Sequence, residues 1–206
     1  MPVRIIVTGL FIFVCVVFVV YYFFMHSENI VNYPPKSGPI VAFGDSLVVG
    51  VGSPETEGFI APLADLVGEP IQNRGVRGDT TADGLARIET VLELKPRIVL
   101  LLLGGNDYLR KVPKAETSEN LRTLIKTLQA EGILVVLLGV RGGVLTDGYE
   151  TMYEEMAQTT GSVYVENVLD GIFGNASLMS DSIHPNREGY ARIAKKVYVE
   201  LEPVLR

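Results

Sequence analysis

The first stretch of the chain is patterned unlike anything after it. From Ile5 to Phe24 twenty consecutive residues carry no charge, and only Thr8 and Gly9 interrupt their apolar or aromatic character. In a helix, twenty residues rise about 30 Å, the thickness of a bilayer's hydrocarbon core. The run therefore predicts a membrane-spanning helix within residues 1–26, with Tyr21 and Tyr22 at the interface that aromatic rings favour. A cleavable leader has a shorter apolar region and small residues at the cut. This run ends in Tyr-Tyr-Phe-Phe-Met-His, so an uncleaved anchor is expected. Arg4 precedes the run and the next cation downstream is Lys36, which leaves the N-terminus in the cytoplasm and the rest of the chain outside. Residues 27–38, with Pro34-Pro35 and Gly38, read as a short exposed tether.

From Pro39 the pattern changes to alternation. Ile40–Phe43, Ile98–Leu103 and Ile133–Val140 are uncharged apolar runs suited to strands covered on both faces, as in a parallel sheet. Val163–Val165 and Ile71–Asn73 are shorter candidates of the same kind. Between them the period lengthens to that of helices. Phe59–Val67 and Gly148–Thr160 are two, and Thr81–Leu94 carries Leu85, Ile88, Val91 and Leu92 on one face. Ser118–Glu131 places Leu121, Leu124, Ile125 and Leu128 together and stops at Gly132, and Arg187–Leu201 groups Tyr190, Ile193, Ala194, Val197 and Leu201. Strand–helix alternation of this kind predicts one three-layer α/β domain, residues 39–206, with a mostly parallel sheet. Ligands of such sheets bind in the loops beyond the carboxyl ends of the strands.

Charge and composition narrow the chemistry. The net charge is −6, and 23 of the 24 acidic residues lie after Gly38, so the domain lacks the basic stripe that a nucleic-acid partner requires. A single cysteine, Cys15, excludes a disulfide framework and a thiolate zinc site, and two histidines, His26 and His184, exclude a histidine-rich metal centre. No metal or organic cofactor is expected.

The polar residues at the predicted strand ends carry the rest. Gly44-Asp45-Ser46 follows the first strand, and Gly75-Val76-Arg77-Gly78-Asp79 follows the second. Gly104-Gly105-Asn106-Asp107 follows the third, and Asp181-Ser182-Ile183-His184-Pro185 precedes the last helix. A serine hydroxyl is a poor nucleophile until a base takes its proton. His184 is the only histidine of the domain, and Asp181, three residues earlier, is within reach of its ring to fix the tautomer. Backbone N–H groups of the glycine loops and the Asn106 amide can face a developing oxyanion. The sharp G-x-S-x-G turn of α/β-hydrolases is absent, since Leu47 and Val48 follow Ser46.

Together these four segments resemble the four blocks of the GDSL, or SGNH, hydrolases over essentially all of residues 39–206. Gly78-Asp79-Thr80-Thr81 with Gly84-Leu85-Ala86-Arg87, Leu103-Gly104-Gly105-Asn106-Asp107 with Leu109-Arg110, and Ile183-His184-Pro185-Asn186-Arg187 are similar to the bacterial acyl-thioesterase, arylesterase and lysophospholipase subgroup. The resemblance implies a flavodoxin-like α/β/α fold. It implies Ser46 as nucleophile, His184 as base oriented by Asp181, and an oxyanion hole of the Ser46 N–H, the Gly78 N–H and the Asn106 amide. It also implies that the loop after the Ile133–Val140 strand meets the acyl chain, through Val144, Leu145 and Tyr149. Expected substrates are aryl esters, acyl thioesters and lysophospholipids, brought close by the anchor where they derive from the membrane. Removal of O-acetyl groups from carbohydrate is the alternative within the superfamily, and an inactive anchored binding protein is the alternative outside it.

Overall fold

The computed structural model describes residues 30–54, 58–141 and 148–206. The expected membrane span lies outside them, and among the described residues no helix is long and apolar enough to cross a membrane. In chain order the elements are β1 (Ile40–Gly44), α1 (Ser46–Val49), α2 (Ile60–Val67), β2 (Ile71–Gly75), α3 (Thr81–Ala86), α4 (Glu89–Leu92) and β3 (Ile98–Leu102). There follow α5 (Gly105–Leu109), α6 (Lys114–Ala130), β4 (Leu134–Leu138), α7 (Tyr149–Thr160), β5 (Val163–Val165) and α8 (Arg187–Leu201).

Every residue of β1, β3 and β4 is buried, as their uninterrupted apolar runs require. Side chains alternate between two cores. Ile40, Ala42, Leu100 and Val136 pack with Ile60 and Leu63 of α2 and Ile193 and Val197 of α8. Val41, Phe43, Val99, Leu101 and Val135 pack with Leu121, Leu124 and Leu128 of α6 and Tyr153 and Met156 of α7. Helices thus cover both faces of the sheet, giving the expected three layers. All strands are parallel, in the order β2-β1-β3-β4-β5. The chain leaves β1 first to one side and then to the other, so the crevice beyond the carboxyl ends of β1 and β3 is where a ligand is expected. Gly44 and Leu102 stand in register there.

The structure breaks the predicted Thr81–Leu94 helix in two. Arg87 leaves helical geometry at φ −122° because its guanidinium is committed elsewhere. It donates to Asp79 Oδ2 (2.6 Å), to the Arg74 carbonyl (3.0 Å) and to the Gly44 carbonyl (2.9 Å), and lies 4.3 Å above the Phe43 ring. Helical periodicity carries no trace of that commitment. Helix α6 starts four residues earlier than predicted, directly after Pro113, whose carbonyl accepts from the N–H groups of Glu116 and Thr117.

The supposed exposed tether is fastened to the domain from Ile30 onward. Ile30 packs against the α2/α8 core, and the Val31 N–H donates to the Gly161 carbonyl at 2.9 Å. Asn32, at φ 66°, donates through Nδ2 to the carbonyls of Gln129 and Ile133, both at 2.9 Å. The Gln129 carbonyl, in the last turn of α6, also accepts from the Gly132 N–H, and Ile133 directly precedes β4, so one side chain ties the lead-in to the turn between helix and strand; asparagine is among the few residues that tolerate the left-handed conformation required.

Candidate active site

Ser46 is presented by a turn that glycine makes possible. A Cβ on Gly44 would stand 2.1 Å from the Leu102 carbonyl oxygen, so only glycine lets the end of β1 lie this close to β3. Asp45 then caps α1: its Oδ1 accepts from the Leu47 N–H at 2.9 Å, and Ser46 becomes the first residue of the helix.

His184 Nε2 lies 3.1 Å from Ser46 Oγ, and its Nδ1 lies 2.8 Å from Asp181 Oδ2. The other carboxylate oxygen, Oδ1, accepts from the N–H groups of Ile183 and His184, both at 2.7 Å. The hydrogen bond from His184 first, and these two N–H groups next, hold the Asp181 carboxyl down to about 2. A permanent carboxylate at Nδ1 keeps the ring proton there and leaves Nε2 free to accept from the serine hydroxyl. The loop reaches Ser46 because Gly52, at φ +95°, lets the chain after α1 approach: a Cβ there would stand 2.6 Å from the Pro185 carbonyl and 3.1 Å from His184 Cβ.

The donors come from the other side. Gly104, at φ +115°, starts α5, and a Cβ there would collide with the buried Tyr153 hydroxyl, which donates to the Leu103 carbonyl at 2.6 Å. Asn106 Nδ2 donates to the Asp79 carbonyl (3.0 Å) and to Asp45 Oδ2 (3.3 Å). Among the described residues, neither the Ser46 N–H nor the Gly78 N–H donates to a protein acceptor. Beneath them lies a buried polar network. Asp107 accepts from the Thr81 N–H (2.9 Å) and from the hydroxyls of Thr81 (2.5 Å) and Thr117 (3.3 Å), while Asp79 is paired with Arg87. Burial, opposed by the Leu47 N–H and reinforced by the charges of Asp79 and Asp107, pushes the Asp45 carboxyl up to about 7.

The cleft in front of Ser46 and Asn106 is lined on its apolar side by Leu47, Leu109, Val140, Leu169, Phe173 and Ile183. Leu109, Phe173 and Ile183 are 52%, 39% and 40% exposed, an apolar rim at the mouth. Arg141 also lines the cleft, paired with Glu150.

Ser46, Asp181 and His184 therefore meet as the sequence anticipates, and Asn106 and the Gly78 loop stand beside them. Val144 and Leu145 lie outside the described residues. Tyr149 does not line the cleft: it is 5% exposed, edge-on to Tyr108 at 5.5 Å between centroids and next to Tyr153. As the first residue of α7 it turns into the core between helix and sheet. Phe173 and Leu169 are not among the residues expected from sequence, although an Ile-Phe pair between Gly171 and Gly174 is an apolar signal in a polar stretch. Nor does the sequence give Arg87 a role beyond its place in the Gly84-Leu85-Ala86-Arg87 block.

The model of the GDSL-like lipase/acylhydrolase family matches residues 42–192, and the chain belongs to that family. It is a carboxylic ester hydrolase. Esterase TesA of Pseudomonas aeruginosa is 31% identical over 178 residues, 81% of this chain and 89% of that protein. The thioesterase 1/protease 1/lysophospholipase L1 of Escherichia coli K12 is 27% identical over 175 residues, 81% and 84% of the two chains. Among solved structures, the psychrotrophic esterase EstA from Pseudoalteromonas, inhibited by monoethylphosphonate, is similar with a TM-score of 0.72 at 27% identity, over 82% of this chain and 99% of that one.

Proposed function

We propose that the chain hydrolyses acyl esters of medium or longer chain through an acyl-enzyme on Ser46. The substrate class comprises aryl esters, acyl thioesters and lysophospholipids, and the apolar run at residues 5–24 tethers the domain to a membrane as a single-pass protein facing away from the cytoplasm. The observation that carries the reading is the unbroken line from Ser46 Oγ through the His184 ring to Asp181 Oδ2, at 3.1 and 2.8 Å.

The steps follow from that line. Ser46 Oγ attacks the ester carbonyl while its proton passes to His184 Nε2, and Asp181 stabilises the imidazolium through Nδ1. The carbonyl oxygen takes up negative charge where, among the described residues, the Ser46 and Gly78 N–H groups lack protein acceptors and the Asn106 amide stands nearby. The tetrahedral intermediate collapses as His184 gives its proton to the leaving alcohol or thiol. Water, deprotonated by the same imidazole, then attacks the acyl group and frees Ser46.

The exposed rim of Leu109, Phe173 and Ile183 favours an acyl chain over the acetyl group of a carbohydrate deacetylase. The catalytic test uses the full chain and its Ser46→Ala variant against p-nitrophenyl esters from acetate to decanoate. The expected result is turnover that rises from acetate towards octanoate and disappears in the variant. A profile confined to acetate would favour the deacetylase. A folded protein with no turnover and no labelling of Ser46 by a fluorophosphonate would return the chain to the class of anchored binding proteins.

A further inference from the structure

The lead-in to β1 and the catalytic cleft lie at opposite edges of the sheet. Val31 is bonded to Gly161, just before β5, and Asn32 to Gln129 and Ile133, just before β4. A Cβ on Gly132, also before β4, would meet the Lys36 ammonium. Gly38 accepts from Arg97, just before β3, at 3.0 Å. The segment thus passes under the amino ends of β5, β4 and β3 in turn before it enters β1. Ser46 and Asn106 stand beyond the carboxyl ends of β1 and β3, across five-residue strands that span roughly 16 Å.

We infer that the cleft opens away from the membrane that holds the chain, so that its ester substrate is delivered from the aqueous phase and not drawn from the anchoring bilayer. The inference rests on the anchor proposed above, and length decides it. From Phe24, the last residue of the apolar run, to Ile30, the first described residue and one packed on the domain, there are six Cα steps, which reach at most about 21 Å fully extended. A compact domain of residues 39–206 is roughly 40 Å across. Turning the mouth onto the bilayer would carry Ile30 to the far side of the domain, about twice as far as those steps extend. Clamped at Val31 and Asn32, the chain cannot lend further length without breaking three hydrogen bonds and unseating Ile30 from the core. The expectation that the anchor presents the site to lipid of its own membrane is thereby reversed. The exposed rim of Leu109, Phe173 and Ile183 then faces water, where it receives esters in solution or in micelles.

The experiment places the full chain, with Cys15→Ser, in phosphatidylcholine vesicles containing a nitroxide-headgroup lipid. A fluorophore is attached at Glu131→Cys on the amino edge or at Leu109→Cys on the rim. Flotation with the vesicles and quenching at position 131 at least threefold stronger than at 109 are expected. Equal or stronger quenching at 109 would overturn the inference while leaving the anchor intact, and failure to float would overturn both. The second arm inserts twenty Gly/Ser residues after Asn29, adding roughly 25 Å of reach. Turnover of p-nitrophenyl palmitate held in the same vesicles should rise at least fivefold, with p-nitrophenyl butyrate in water unchanged. No rise would sink the inference. A chain that hydrolyses neither ester, yet keeps the quenching pattern, would fail as an esterase while keeping its orientation.

Discussion

The two halves of the candidate site are built on different plans. The half that carries Ser46 and Asn106 rests on a buried polar network: Asp45, Asp79 and Asp107 are each 8% exposed or less, Arg87 binds Asp79, Thr81 and Thr117 bind Asp107, and the Leu47 N–H and Asn106 amide bind Asp45. The half that carries the base is a surface loop between β5 and α8, where the Asp181 side chain is half exposed. Apart from the His184–Ser46 bond, the hydrogen bonds that shape it are local, from Ile183 and His184 to Asp181 and from Ser180 to His184. Apolar residues hold that loop down at its flanks, Leu169, Ile172 and Leu178 on one side and the close approach of Gly189 to the Leu178 carbonyl on the other. The difference has a chemical reason. Oxyanion donors act only if they need not reorganise as charge develops, which calls for a rigid buried frame. The base must exchange protons with leaving group and water, and a loop open to solvent permits that.

If this division holds, substitutions in the base half should cost rate and little stability, and substitutions in the network half should cost stability as well. Ser46→Ala and His184→Ala have the largest expected effect, about 10⁴- to 10⁶-fold in kcat by comparison with other serine hydrolases, with the melting temperature within a few degrees of the parent. Asp181→Asn should lower kcat by on the order of 10²- to 10⁴-fold, because the amide no longer enforces the Nδ1 proton, and should cost no more than about 1 kcal/mol of stability at pH 7, since solvent screens the bonds that hold the half-exposed carboxyl down. A large loss of stability in Asp181→Asn would show that the loop is part of the frame after all. Arg87→Met should do the reverse. It leaves Asp79 buried without its cation and takes a donor from the Arg74 and Gly44 carbonyls, the latter keeping the Val76 N–H, at a cost of about 3 kcal/mol, measurable by urea unfolding. Any loss of rate should then appear through disturbed donors, in kcat and not in KM.

Asp45 offers a subtler break between the halves. Its carboxyl is raised from 3.8 to about 7, so between those values the folded chain holds a proton that the unfolded chain has released. Stability must then fall as pH rises through that window, by on the order of 4 kcal/mol if the whole shift is realised. Asp45→Asn has no such proton to lose. Plotted against pH, its unfolding free energy relative to the parent should improve steadily from pH 4 to pH 7.5, whatever its value at the start. Parallel curves would mean that the Asp45 carboxylate is better compensated than its burial implies.

How far the sequence reveals this architecture depends on which forces leave a pattern. The apolar runs of β3 and β4 and the helical stripe of α8 are legible because burial acts on every residue of an element. Ser46, Asp181, His184 and Asn106 are legible because their chemistry demands those residue types at strand ends. Arg87 is not, since a single arginine inside a helical pattern resembles any solvated arginine until Asp79, Gly44 and Phe43 are seen around it. Tyr149 misleads for the complementary reason: its place after a glycine-rich loop suggests a cleft, while its first-turn position in α7 turns it inward against Tyr108. Asn32 is hidden in the same way, because its bonds to the Gln129 and Ile133 carbonyls reach about a hundred residues along the chain from a stretch that composition describes as tether.

The smallest effect is expected at the rim, and it sharpens the comparison where the halves meet. Phe173 belongs to the base-bearing loop and Leu109 to the helix that carries Asn106, so a chain held between them touches both plans at once. Each methylene buried on binding contributes about 0.8 kcal/mol, but a rim residue that stays two-fifths exposed recovers only part of that. Phe173→Ser should therefore lower kcat/KM for octanoate relative to acetate by about three- to tenfold, and Leu109→Ser, more exposed still, by less. Acetate itself should be cleaved at the parent rate by both, since its acyl group ends before the rim. Comparing these with Val144→Ser and Leu145→Ser tests where the chain lies. A shift confined to position 173 would run it along the Leu169–Phe173 wall. A larger shift at positions 144 and 145 would run it towards the loop after β4, as the family resemblance implies.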